Sequence, residues 1–206
     1  MNDWIVANSI SEFVEEHNIG RLFIDIDGCI FHSCQAVADI LNERYKTTFR
    51  GEDITDWDFK CCFPNMTSEE VEDVFNDPRF FDIVKPIDGA LEFLNKYKDD
   101  KEIYLITKSN PMNYVYKRKW FDEHDLSDIP IISLPLNVSK SIIDMHGSGE
   151  YKYSLFIDDN VHNLKKCWHH PDYRIMFKEY EDNKEREWQV GWGVYSKSME
   201  ITMYKW

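Results

Sequence analysis

The ten-residue stretch Arg21-Leu22-Phe23-Ile24-Asp25-Ile26-Asp27-Gly28-Cys29-Ile30 constrains the fold of this chain more than any other. It opens with a short apolar run of the kind a strand buried on both faces needs, which implies a parallel sheet covered by helices. Two carboxylates spaced two apart close the run, and the glycine after them implies that the chain turns there instead of remaining extended. Asp25 and Asp27 are thereby expected at the carboxyl end of a strand, where open α/β sheets bind their ligands.

The rest of the chain supplies a sheet for that strand. A short helix capped by Ser9 or Ser11, with Phe13 and Val14 on its apolar side, precedes it. Strand-like runs recur at residues 102–107, 129–134, 153–157 and 173–177. Helical patterns separate them: a capped helix from Asp88, another starting at Pro111, a short one over residues 138–145 and a turn over 163–168. Strands alternating with helices predict an α/β fold, a doubly wound parallel sheet with right-handed crossovers.

Residues 31–85 break the alternation. A helix over 33–46 and another opening at Thr67 flank an irregular segment rich in apolar residues, among them Trp57, Phe59, Cys61, Cys62 and Phe63. We expect residues 1–30 and 86–206 to form the core domain and residues 31–85 a small helical cap over the strand tip. Residues 178–187 read as a solvated loop, and the aromatic tail from 188 to 206 has no assignable pattern.

Composition narrows the function classes. With 38 acidic against 24 basic residues the net charge is −14, a field that repels nucleic acid polymers and anionic membranes. No apolar run is long enough to span a bilayer, and Met1-Asn2-Asp3-Trp4 lacks the features of a signal peptide, so a cytoplasmic protein is expected. Five cysteines, including the adjacent pair Cys61-Cys62, have neither zinc-site nor disulfide-framework spacing.

Polar residues of complementary type end or follow the predicted strands: Asp25 and Asp27, then Thr107, then Lys140, then Asp158 and Asp159. The tips of a parallel sheet meet along one edge, so these residues are expected to converge. Carboxylates crowded there call for a hard divalent cation, and oxygen ligands point to Mg²⁺. Beside a metal-held phosphate, Asp25 is the candidate nucleophile and Asp27 the candidate acid and base. Thr107 is placed to donate to phosphoryl oxygens, Lys140 to supply fixed positive charge, and Asp158 and Asp159 to complete the metal site.

Asp25-Ile26-Asp27-Gly28-Cys29, Ile106-Thr107, Lys140 and Ile157-Asp158-Asp159 resemble, in order, the four motifs of the haloacid dehalogenase superfamily. Within it the chain is similar to the 5'(3')-deoxyribonucleotidases, with support from Ile54-Thr55-Asp56-Trp57 and Pro86-Ile87-Asp88-Gly89-Ala90. The resemblance implies a phosphorylated Asp25, an acid/base Asp27 whose backbone carbonyl joins Mg²⁺, and a metal-binding Asp158/Asp159 pair. It implies a phosphomonoester substrate, a nucleoside monophosphate, and leaves a homodimer open. Lys108, Ser109, Trp57 and Phe59 are the candidates for substrate contact. Cys29 stands where threonine or valine is usual, and the interval from Lys140 to Asp158 is long, with Gly147-Ser148-Gly149 marking an inserted loop and Lys152 as an alternative lysine. A phosphatase for another small metabolite shares this core chemistry. A signalling receiver domain does not fit, because there the acidic pair precedes the phosphate-accepting aspartate.

Overall fold

The computed structural model describes residues 9–55, 59–146, 153–167, 171–177 and 203–204. Its strands are β1 (Ile19–Asp25), β2 (Glu102–Lys108), β3 (Ile131–Leu134), β4 (Tyr153–Asp158), β5 (Tyr173–Phe177) and β6 (Met203–Tyr204). They form one six-stranded sheet in the order β3-β2-β1-β4-β5-β6, and every pairing is parallel. This is the doubly wound arrangement expected from the alternation of strands and helices, and it places the reversal of strand order at β1.

Alternation along the strands covers both faces. Leu22, Ile24, Leu105, Leu155, Ile157, Ile175 and Phe177 enter the larger core, while Phe23, Ile106, Phe156 and Met176 between them enter a second core on the opposite face. A sheet buried twice needs apolar residues at consecutive positions, which is why its strands read as unbroken apolar runs. At the other end of the strands Arg21 and Glu102, paired in register, form an ion pair with Arg21 Nε donating to Glu102 Oε2 at 2.6 Å.

Helix α1 (Ile10–Glu16) is capped by Ser9, whose hydroxyl accepts from the Glu12 amide at 3.1 Å. Asn18, at φ 50°, turns the chain so that β1 begins at Ile19, two residues before the predicted start. After β1 the chain runs through α2 (Ser33–Tyr45), a 3-10 turn (Gly51–Asp53), α3 (Ser68–Phe75) and α4 (Pro78–Ile83) before α5 (Ala90–Tyr97) returns it to the sheet. Thr67 and Glu70 close a capping box at α3, the Thr67 amide donating to Glu70 Oε2 at 2.7 Å. The outgoing and returning segments lie side by side: the His32 amide donates to the Lys85 carbonyl at 3.0 Å and the Ile87 amide to the Ile30 carbonyl at 2.8 Å.

Several local expectations are corrected. The N-cap of α5 is Gly89, in the left-handed region at φ 86°, and no side chain caps the helix, because Asp88 lies one residue outside it. Residues 138–145 hold only the 3-10 turn Lys140–Ile142, whose Ser139 cap closes a single turn. The third strand starts at Ile131, not at 129, and α7 (Val161–Lys166) starts two residues before the predicted turn. Within the unassigned tail, Met203 and Tyr204 pair with β5. Helix α6 (Pro111–Asp122) starts at Pro111 as expected, and its N-cap is Asn110, which accepts from the Asn113 amide at 2.9 Å.

Candidate active site

Directly after β1 the chain folds back on itself. The Ile30 and Phe31 amides both donate to the Ile26 carbonyl, at 2.9 and 3.0 Å, and the Gly28 amide donates to the Phe31 carbonyl at 3.1 Å. This tight loop requires Gly28 at φ 77°, a conformation in which a Cβ is strained. It leaves Asp25 at the strand tip, 7% exposed, and turns Asp27 away from it.

Three carboxylates converge where β1 and β4 end. Asp25, Asp158 and Asp159 are all buried, and each offers an oxygen within 4.8 Å of those of the other two. Lys140, 2% exposed, joins this group: its ammonium lies 2.8 Å from Asp25 Oδ1 and 2.7 Å from Asp158 Oδ2. Asp158 is further held by the Asn160 amide at 2.8 Å and by Asn163 Nδ2 at 3.1 Å. The Ile26 amide donates to Asp25 Oδ1 at 2.8 Å.

Burial penalises charge on Asp25, and Asp158 and Asp27 add repulsion against the attraction of Lys140, so its carboxyl is pushed up to about 7. Burial also opposes the Lys140 charge, but Asp158 and Asp25 outweigh it and hold the ammonium above its ordinary range. Cys29, fully buried, has its thiol driven well above the usual value by desolvation and then by Asp159 and Asp25, so it packs as a small apolar side chain.

Asp27 stands apart from the three-carboxylate group. Its Oδ2 meets the ammonium of Lys117, and Thr107 Oγ1 donates to the same oxygen at 3.3 Å. Lys117 Nζ in turn donates to Thr107 Oγ1 at 2.6 Å, and Ser33 Oγ donates to Asp27 Oδ1 at 3.2 Å. The fully buried Thr107 hydroxyl therefore bridges Lys117 and Asp27, and it does not cap α6. Lys117 is a site residue that the sequence reading missed. The signal was present, since Asn113, Lys117, Trp120 and Phe121 form the buried stripe of α6, and a lysine in such a stripe needs a partner.

Some of these groups line a cavity of about 300 Å³. Asp25, Asp27, Lys117 and Lys140 line it with Lys108, Ser109 and Asn160, and Val71, Glu72, Phe75 and Asn76 of the helical segment contribute to its wall. Lys108 Nζ donates to the Leu136 carbonyl at 3.2 Å, and partial burial followed by repulsion from Lys140 and Lys166 lowers its pKa. Ser109 shares a hydrogen bond of 2.7 Å with Ser133.

Phe59 is a correction. It is 3% exposed, does not line the cavity, and packs edge-on to Phe75 with ring centroids 6.3 Å apart. Its backbone is left-handed at φ 60° and its side chain lies in the apolar core, whereas among the described residues Phe75 is the aromatic residue on the cavity wall. Trp57 and Lys152 lie outside the described residues. No described helix is long and apolar enough to cross a membrane.

Comparison with solved structures finds the same fold under low sequence identity. A haloacid dehalogenase-like family hydrolase from Streptococcus pneumoniae is similar at a TM-score of 0.59 and 8% identity, over 92% of this chain and 95% of that one. A haloacid dehalogenase-like hydrolase from Bacteroides fragilis gives 0.53 and 14%, over 90% and 96%. L-2-haloacid dehalogenase from Xanthobacter autotrophicus, with chloropropionic acid covalently bound, gives 0.52 and 13%, over 80% and 79%. No curated protein matches the sequence. The family model described as 5' nucleotidase, deoxy (pyrimidine), cytosolic type C matches residues 18–194 of the 206. The fold is that of the haloacid dehalogenase-like hydrolases, and the chain belongs to the nucleotidase family whose model it matches.

Proposed function

We propose that the protein is a Mg²⁺-dependent phosphomonoesterase that hydrolyses nucleoside monophosphates, deoxy forms included, through a phosphorylated Asp25. The observation that carries this reading is the buried Asp25 carboxylate on the cavity wall, gripped by Lys140 and grouped with Asp158 and Asp159. An all-carboxylate donor set suits a hard cation, and Asp25, Asp158 and Asp159 would hold it. When bound, Mg²⁺ would neutralise phosphate oxygens and draw charge off phosphorus.

The chain's own residues supply the rest. An Asp25 oxygen forms a bond to phosphorus while the ester P–O bond breaks, and Asp27 gives its proton to the departing alkoxide. A water then attacks the same phosphorus, Asp27 takes its proton, the bond from phosphorus to Asp25 breaks, and inorganic phosphate leaves. Lys140 holds Asp25 oriented by its hydrogen-bonded ion pair. Lys108 and Ser109, on the cavity wall, are assigned to the phosphate. We assign residues 31–85 the role of a cap that selects the substrate, because Val71, Glu72, Phe75 and Asn76 bring this segment into the cavity wall.

Membership of the nucleotidase family and the aromatic wall at Phe75 favour a nucleoside over a bare sugar. The test is kcat/KM across nucleoside 5'- and 3'-monophosphates and sugar phosphates, with Mg²⁺ and with EDTA. Preference for nucleotides with Mg²⁺, and loss of turnover with EDTA, is expected. Preference for sugar phosphates would overturn the nucleotide reading and leave that of a phosphatase for another small metabolite.

A further inference from the structure

We propose that Lys117 is a positioning residue for proton transfer: it holds Asp27 by Oδ2, so that Oδ1 is the oxygen that exchanges the proton. This rests on the acid/base role given to Asp27 above. Lys117 is 1% exposed, on the buried stripe of α6, ten residues from Thr107 in sequence. An ammonium so deeply buried is retained only where partners offset its desolvation. Its partners here are Asp27 Oδ2 and Thr107 Oγ1, and Thr107 donates to that same Asp27 oxygen. Oδ2 is thus engaged by two donors, whereas among the described residues Oδ1 accepts from Ser33 alone, at 3.2 Å.

Two buried lysines divide the acidic residues between them. Lys140 belongs to Asp25 and Asp158, and Lys117 to Asp27. The division has a chemical consequence. Asp27 follows Asp25 by two residues, and a free carboxylate there would be drawn toward any cation held by Asp25, Asp158 and Asp159. Tethered to α6, it stays on the cavity wall as a proton carrier. Ser33, the first residue of α2, adds a contact from the helical segment to the oxygen left for that role.

A residue that acts through the general acid matters most when the leaving group is poor. Thymidine 5'-monophosphate leaves as an alkoxide that needs a proton, whereas p-nitrophenyl phosphate leaves as a stabilised phenolate that does not. The experiment compares kcat/KM for both substrates in wild type, Lys117→Met, Lys117→Arg and Asp27→Asn, with thermal melts to confirm folding. For Lys117→Met we expect a loss of about 100-fold on the nucleotide and less than about fivefold on the aryl ester. Lys117→Arg keeps the charge but not the compact ammonium, and about a tenfold loss with the same bias is expected. That variant carries the comparison alone should Lys117→Met not fold. Equal losses on both substrates, or none, overturn the proposal for Lys117. Asp27→Asn separates the two readings: a leaving-group bias there without one at Lys117 sinks only the present inference, and absence of bias in Asp27→Asn sinks the acid/base reading itself.

Discussion

A Cβ added to Gly28 would stand 2.4 Å from Asp159 Oδ2, so the loop after β1 and the carboxylate after β4 are in contact through the absence of a side chain. Gly28→Ala is therefore expected to act twice. The left-handed backbone at φ 77° costs about 1 kcal/mol for alanine. The methyl group also displaces Asp159 from Asp25 and Asp158, and Mg²⁺ affinity should fall at least about tenfold. Calorimetric titration with Mg²⁺ checks this, and unchanged affinity in the folded variant would contradict it.

Lys140 is the positive charge between Asp25 and Asp158. Lys140→Met leaves those buried carboxylates facing each other, and in EDTA the variant should lose about 3–5 kcal/mol of stability. Saturating Mg²⁺ should restore part of that loss by binding only the folded state. Denaturant unfolding with and without Mg²⁺ measures both quantities. A variant as stable as wild type in EDTA would show that the ion pair carries no weight.

Asp25 sets a pH dependence whose sign follows from its raised pKa of about 7. Because the folded value exceeds the unfolded one, the contribution of Asp25 to stability is fully present below about pH 4 and is lost as pH rises to about 7. In EDTA, the stability of wild type minus that of Asp25→Asn should accordingly decline between pH 4 and pH 7. The subtraction removes the carboxylates that do not interact with Asp25. A difference that grows over this interval would refute the assignment.

The sheet was legible because a strand buried on both faces has to be apolar at successive positions, and the carboxylates that end β1 and β4 interrupt that pattern. What escaped was set by tertiary partners. Lys117 looks like any helical lysine until its stripe is seen to point at Asp27, 90 residues away in sequence. Lys140 sits on a single 3-10 turn, since its side chain is committed to the carboxylates and the segment closes only one turn. Phe59 and Phe75 have the same composition value in a sequence. Their places in the fold separate them: Phe59 is buried in the apolar core, whereas Phe75, the last residue of α3, lines the cavity.

That contrast gives opposite expectations for the two rings. Phe59→Ala, in the apolar centre, should cost about 3–5 kcal/mol of stability with little change in substrate selectivity. Phe75→Ala should instead raise KM for nucleoside monophosphates about tenfold while leaving that for a sugar phosphate nearly unchanged, the scale of one base–aromatic contact. Steady-state kinetics alongside thermal melts separates the two effects. Equal KM changes for nucleotide and sugar phosphate in Phe75→Ala would remove the ring from any role in base selection.

The most direct test of Asp25 as the nucleophile is to trap the phosphoenzyme. Wild-type protein mixed with thymidine 5'-[³²P]monophosphate and Mg²⁺, quenched in acid within one turnover, should retain label that hydroxylamine removes, as an acyl phosphate requires, and peptide mapping should locate it on Asp25. Asp25→Asn should retain none. Turnover without covalent label, or label persisting in Asp25→Asn, would contradict the account.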